Sequence, residues 1–206
     1  MRRFWDRFGL TTETSVLDVG GTAYNWSLLP ERPRVVVLNL WTPDPASRDG
    51  LTWLVGDGLR LPFRDGEFDV VFSNSVIEHV STLENQRRFA EECRRVGRRY
   101  FVQTPNRFFP IDPHFATPFF HWLPRAWQRR LLRRFTLWGV ATKPPPDLQE
   151  RKLRTIRLLD PVVMGRLFPD AEIWRERFLG LTKSVVAATP EGATDPRRPA
   201  VPASER

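Results

Sequence analysis

The sequence predicts an α/β protein built on a doubly wound, mostly parallel sheet. Three observations carry this. Through the first hundred residues, short β-branched runs alternate with helix or turn signals, the pattern of parallel strands joined by crossovers. The run RVVVL at 34–38 holds three consecutive valines, which suits a strand buried on both faces. Near the C-terminus, runs at 173–178 and 182–188 flank Leu179-Gly180-Leu181, which reads as an antiparallel hairpin closing the sheet.

The elements follow in order. SVLDV (15–19) is the first strand and ends at Gly20-Gly21; RVVVL is the second. LTWLV (51–55) is the third, stopped by Gly56-Asp57-Gly58. The connection before it holds Pro43, Pro45 and Gly50, so it reads as a loop or a single turn. FDVVF (68–72) is the fourth, after the turn Asp65-Gly66, and RYFVQ (99–103) is the fifth, before Thr104-Pro105. Between these two, 82–96 spaces Leu83, Phe89 or Ala90, Cys93 and Val96 as one apolar helical face, and Gly97 ends it. A short helix at 160–167 starts with Asp160 as cap and Pro161 at its first position.

The chain divides into a sheet-forming first part (1–104), an insertion (105–158), a closing helix and hairpin (159–188), and a tail (189–206) rich in proline and poor in large apolar side chains, expected to be disordered. The 206 residues are 41% hydrophobic, enough for a real core. No apolar run approaches the roughly 20 residues of a membrane-spanning helix, and MRRFWDRFGL lacks the apolar stretch of a signal peptide, so a cytoplasmic location is the expectation. A lone cysteine, Cys93, excludes an intramolecular disulfide framework and a multi-thiolate zinc site.

Charge is concentrated. Basic residues outnumber acidic ones 32 to 24, a net +8. Between Thr104 and Leu158 there are eleven basic and three acidic residues, so the whole excess falls in the insertion. That implies an anionic partner or a solvated arginine-rich surface. The insertion opens with the Pro- and Phe-rich PNRFFPIDPHFATPFFHWLP and continues with an expected basic amphipathic helix over 125–138. Trp127, Leu131, Phe135 and Trp138 share one side of it, to pack on the sheet as core or to lie on a membrane surface. The insertion reads as a lid.

In an open parallel sheet, ligands bind beyond the carboxyl ends of the strands, where the topology reverses. Three successive ends carry suggestive residues. Gly20-Gly21-Thr22 lets backbone approach a ligand closely. Asn39 lies 21 residues after Asp18, near where a nucleoside-binding sheet places its ribose contact. Asp57 offers a carboxylate to an adenine amino group.

On VLDVGGT (16–22), GDGLRLPFRDGEFDVVFSNSVIEHV (56–80) and YFVQTPN (100–106), the chain resembles the class I S-adenosylmethionine-dependent methyltransferases, in particular the broad small-molecule group. The resemblance implies a Rossmann-like seven-stranded sheet with one antiparallel strand, and S-adenosylmethionine as cofactor. It implies that Asp18, Gly20 and Gly21 belong to the loop near the methionine moiety, and that Asn39 takes the ribose position. Asp57 and Gly58 take the adenine position, and Asn74 and Ser75 line the floor beside the sulfonium. Two departures stand out: only the first glycine of the family's Gly-x-Gly-x-Gly matches, and the ribose acid is replaced by Asn39. A nicotinamide dehydrogenase fits worse, because its loop needs glycines at Thr22 and Asn25.

Methyl transfer from a sulfonium needs alignment and exclusion of water, and a base when the acceptor is a hydroxyl. His79, His114 and His121 are all expected near the mouth, with His79 and His114 as candidate bases. Some relatives carry Glu-x-x-Glu-His here and bind a divalent ion. This stretch is Ser75-Val76-Ile77-Glu78-His79 and lacks the first carboxylate, so no metal is assigned, although His114 could add a ligand. Cys93, in mid-helix, is not expected to act as a nucleophile. The reading is methyl transfer to an oxygen, or a nitrogen, of a small, partly apolar or lipid-linked acceptor, with peripheral membrane contact through 122–138. The alternatives are an RNA or polyanion methyltransferase using the basic insertion, with nucleic acid the less favoured partner, and a non-catalytic binding module of the same fold.

Overall fold

The computed structural model describes residues 1–193. Its elements are α1 (Arg2–Phe8), β1 (Ser15–Val19), α2 (Ala23–Ser27), β2 (Arg34–Asn39), β3 (Thr52–Val55), β4 (Phe68–Asn74), α3 (Leu83–Val96) and β5 (Gly97–Pro105). The insertion adds a two-residue pair, β6 (Ile111–Asp112) and β7 (Thr117–Pro118), then α4 (Arg125–Phe135), α5 (Leu137–Thr142) and α6 (Pro146–Thr155). α7 (Pro161–Leu167), β8 (Glu172–Phe178) and β9 (Leu181–Ala188) complete the fold.

Seven strands form one sheet in the order β3-β2-β1-β4-β5-β9-β8. β1 to β5 are parallel, and β9 runs antiparallel to both β5 and β8. The order reverses at β1, where the chain steps outward to β2 and later returns on the other side to β4. The crevice between these strand ends is therefore set by topology.

Each face of the sheet has its own core. On one, α3 and α7 pack Phe89, Cys93, Val96, Met164 and Phe168 against Leu17, Val71 and Val102. Thr82 caps α3 by accepting from Asn85 N at 3.1 Å, and Asp160 caps α7 by accepting from Val162 N and Val163 N. The expected apolar face of α3 holds except at Leu83, which is half exposed. Its inward polar residue is Gln86, fully buried, whose amide donates to Ile77 O and Arg157 O. On the other face lies an aromatic cluster of Phe4, Phe8, Trp26, Phe72 and Phe101, with Phe72 and Phe101 stacked at 5.4 Å. The sequence reading assigned no helix to the N-terminus; α1 forms because Phe4 and Phe8, one turn apart, both find this cluster.

The insertion corrects two expectations. The helix foreseen over 125–138 breaks at Thr136, whose hydroxyl donates to Leu132 O and accepts from Gly139 N, starting α5. Its buried stripe runs through Gln128 and Leu132, whereas Trp127 and Phe135 are exposed at 58% and 67%. The insertion does not pack on the sheet with those aromatics; it builds a small core of its own from Phe115, Phe120, Leu132, Leu153 and Ile156. The expected tail begins too early at 189: Thr189 extends the ladder by exchanging bonds with Tyr100. From residue 194 that expectation lies outside the described residues.

Candidate active site

A crevice of about 360 Å³ opens at the carboxyl ends of β1 to β4. Its walls include Gly20 and Thr22 after β1, Asn39 to Trp41 after β2, Gly56 to Gly58 after β3, and Ser75, Val76 and His79 after β4. Both glycines after β1 are dictated by close contacts. Gly20 has φ +77°, and a Cβ there would stand 2.7 Å from Val76; a Cβ on Gly21 would stand 1.9 Å from the Asp18 carboxylate. The place a Cβ would take is already filled by Val76 at Gly20 and by Asp18 at Gly21, so only glycine lets the loop pack this closely beside the crevice.

Five of the eight expected cofactor residues, Gly20, Asn39, Asp57, Gly58 and Ser75, line this crevice. Asp18, Gly21 and Asn74 do not. Asp18 is wholly buried beneath the loop, where Trp26 Nε1 donates to its Oδ2 at 2.7 Å, and burial pushes its pKa up to about 7. Gly21 packs over that carboxylate. Asn39 is committed on both sides: Nδ2 donates to Gly21 O at 3.0 Å and Oδ1 accepts from Leu40 N at 2.8 Å. One hydrogen and one lone pair remain for a ligand. Asp57 Oδ1 accepts from Leu59 N, leaving Oδ2.

A second cavity, about 630 Å³, adjoins the first and is lined by Asn74, Ser75, His79, Gln103, Phe109 and His114, among others. Ser75 and His79 belong to both walls. Ser75 holds φ +58°, a costly conformation for a residue with a side chain, and its N–H is fixed by Gln103 O at 3.0 Å.

His79 and His114 come together here. Their Nε2 atoms are 3.2 Å apart, and His114 Nδ1 lies 3.0 Å from Asp112 Oδ1, which also accepts from the His114 backbone. The partners assign the protons. His114 Nδ1–H donates to the Asp112 carboxylate, so neutral His114 accepts at Nε2 from His79 Nε2–H, and His79 Nδ1 keeps the free lone pair. Desolvation by burial is the main cause that pulls the His79 pKa down to about 4. Glu78 is fully buried beside the pair. Thr104 donates to its Oε2 at 2.9 Å, Oε1 has no partner, and burial raises its pKa to about 7. Glu78, His79 and His114 bring one ligand atom each within 4.8 Å of one another, a donor set that a divalent cation can use.

His121 departs from expectation. It lines neither cavity, with its Nε2 against Arg107 O at 2.9 Å and its Nδ1 3.9 Å from Asp112 Oδ2. Sequence reasoning missed Asp112; the available signal was its place two residues before His114, where a carboxylate can bond the backbone and ring of the histidine that follows. Cys93 is buried and its thiol pushed up by burial, consistent with no nucleophilic role.

Residues 17–100 match the family described as "Methyltransferase domain". A curated relative from Encephalitozoon cuniculi (strain GB-M1), named a methyltransferase, is 37% identical over 95 residues, which are 46% of this chain and 45% of that protein. The chain thus spans about half the length of the curated relative it matches. Two crystal structures share the fold. The SAM-dependent methyltransferase of Aquifex aeolicus is 16% identical, with TM-score 0.51 over 91% of this chain and 87% of that one. The SAM-dependent methyltransferase of Methanosarcina mazei is 13% identical, with TM-score 0.53 over 92% and 97%. The fold is a Rossmann-like, mostly parallel seven-stranded sheet with an antiparallel C-terminal pair, shared with these SAM-dependent methyltransferases. Within it, residues 17–100 are similar to the methyltransferase-domain family.

Proposed function

We propose that the protein transfers the methyl group of S-adenosylmethionine to an oxygen of a small, partly apolar acceptor held in the 630 Å³ cavity. One observation carries this reading: the two cavities share Ser75 and His79, so ligands in each meet at those residues. In the crevice, Asp57 would take the adenine, Asn39 the ribose, and the Gly20 backbone the amino-acid portion. When bound, the cofactor supplies an electrophilic methyl on a sulfonium. The chain's own work is alignment, exclusion of water, and removal of the acceptor's proton. His79 Nδ1 takes that proton, while His114 and Asp112 hold the ring in the tautomer that leaves Nδ1 open. Asp18 and Gly21 act on the cofactor loop from beneath, through its shape.

The apolar wall of Phe109, Ile111 and Phe178, with Lys183 beside it, favours an acceptor with a hydrocarbon part, including one presented by a lipid. The exposed Trp122 and Trp127 support peripheral membrane contact through 122–138. Two measurements test the reading. Calorimetric titration with S-adenosylmethionine should show binding that Asp57→Ala weakens at least tenfold; unchanged affinity would remove Asp57 from the adenine wall. Labelled methyl groups supplied with a cell extract should enter the organic-soluble fraction; label in RNA instead would favour a polyanion substrate, and cofactor binding without any transfer would favour the binding module.

A further inference from the structure

A third cavity, about 460 Å³, lies on the insertion and plays no part in the proposed step. Its wall includes Arg107, Arg125, Arg157, Gln128, Asp112 and His121. Three arginines and one aspartate therefore belong to its wall. Arg125 Nη1 donates to Gln128 Oε1 at 2.8 Å, and Arg157 donates to Gln86 Oε1. Both partners are neutral amides, which orient a guanidinium without cancelling its charge. Gln128 is a buried strut: its Nε2 donates to His121 O and Leu123 O, which turns its oxygen toward Arg125. Arg107 has Asp160 no closer than 3.8 Å. Arginines fixed in this way keep spare N–H donors in the fork arrangement that matches a phosphate.

Two wall atoms supply an independent observation. Asp112 Oδ2 and His121 Nδ1 are buried, make no hydrogen bond among the described residues, and lie 3.9 Å apart. His121 Nε2 donates to Arg107 O, so its Nδ1 is a lone pair in the neutral ring. Each atom can accept, and a hydroxyl donates to one of them. An anion without a hydroxyl, such as sulfate, would answer the arginines and leave both atoms unmet.

We propose that this cavity binds a phosphate ester. Its phosphate oxygens take Arg107, Arg125 and Arg157, and a neighbouring hydroxyl donates to Asp112 Oδ2 or His121 Nδ1. Asp112 joins this cavity to the proposed methylation site, because its Oδ1 holds His114. On the acceptor reading given above, the phosphate would anchor the charged end of the acceptor; the phosphate site itself does not depend on that reading. The ester could be soluble or a phospholipid headgroup, and the chemistry of the wall is the same for both.

The test uses the full chain with glycerol 3-phosphate and with glycerol as separate titrants. Glycerol 3-phosphate should bind, glycerol should not, and Arg125→Gln or Arg107→Gln should each weaken binding at least tenfold. Arg125→Lys, which keeps charge and loses the fork, should fall between. In a parallel arm, the protein is sedimented with vesicles of phosphatidylcholine alone or mixed with phosphatidylglycerol. Binding only to the mixed vesicles, lost in the same variants and without affinity for glycerol 3-phosphate, assigns the source to a lipid headgroup. If neither probe binds, or if the arginine variants bind as the wild type does, the proposal is overturned. S-adenosylmethionine titration of every variant checks the fold. Wild-type protein that binds glycerol 3-phosphate but not S-adenosylmethionine would sink the methyltransferase reading and leave this one standing.

Discussion

The strand-end crevice and the insertion obtain their polar chemistry in opposite ways. In the crevice, residues arrive from four successive strand ends, each close to its position in a repeating β-then-turn pattern, and backbone geometry does much of the work. Gly20 and Ser75 hold positive φ, Asp57 bonds its own loop, and Asn39 bonds its own loop at Leu40 and the neighbouring one at Gly21. In the insertion, Asp112, His114 and Gln128 are placed by side-chain bonds, to one another, to His79 and to the backbone of His121 and Leu123, beside a small core that no periodic signal describes. The lesson is that the shape of a crevice set by sheet topology persists with Asn39 where the resembled family carries an acid, whereas an arrangement made by side chains on an irregular segment depends on each one.

The comparison can be broken most sharply at the residue where the regions meet. His79→Ala should lower turnover by about 10²–10⁴-fold with little change in cofactor affinity, measured on chelator-treated protein. Because its pKa is pulled down to about 4, His79 stays neutral through pH 5–7. The acid limb of kcat/KM should therefore fall below pH 6.5, and a break at an ordinary imidazole value would show that another group is the base. Gly21→Ala tests the backbone side. Its new methyl would overlap the Asp18 carboxylate, and a loss of about 3 kcal/mol in thermal or urea unfolding is expected. In the insertion, Leu132→Ala should cost about 2–4 kcal/mol, while Trp127→Ala stays within about 0.5 kcal/mol. Similar costs for the two would restore the helix face expected from sequence.

A pH-dependent test concerns Asp18. Its pKa is raised in the folded state from 3.8 to about 7, so the stability linked to its protonation is full below pH 3.8 and is lost as pH rises through 7. Asp18→Asn removes that loss, so its stability relative to the wild type should be higher at pH 8 than at pH 4, by on the order of 4 kcal/mol. Cofactor affinity should be retained, because Asp18 does not line the crevice; a large loss would return it to a direct contact.

Much of the sheet was legible in the chain because buried parallel strands need unbroken apolar runs, which RVVVL and FDVVF display without reference to partners. The closing hairpin and the cap at Asp160 were legible for similar local reasons. The crevice residues Gly20, Asn39 and Asp57 were legible because strand ends are where such folds bind ligands. Other features were decided only in three dimensions. α1 owes its place to an aromatic cluster assembled from four separate elements. The break at Thr136 comes from a hydroxyl that serves two turns at once. The pairing of His79 with His114, 35 residues apart, and the presence of Asp112 behind them depend on how the insertion folds back over the sheet. Periodicity and turn chemistry are properties of neighbouring residues. Convergence of distant polar groups is a property of packing, and only the folded chain determines it.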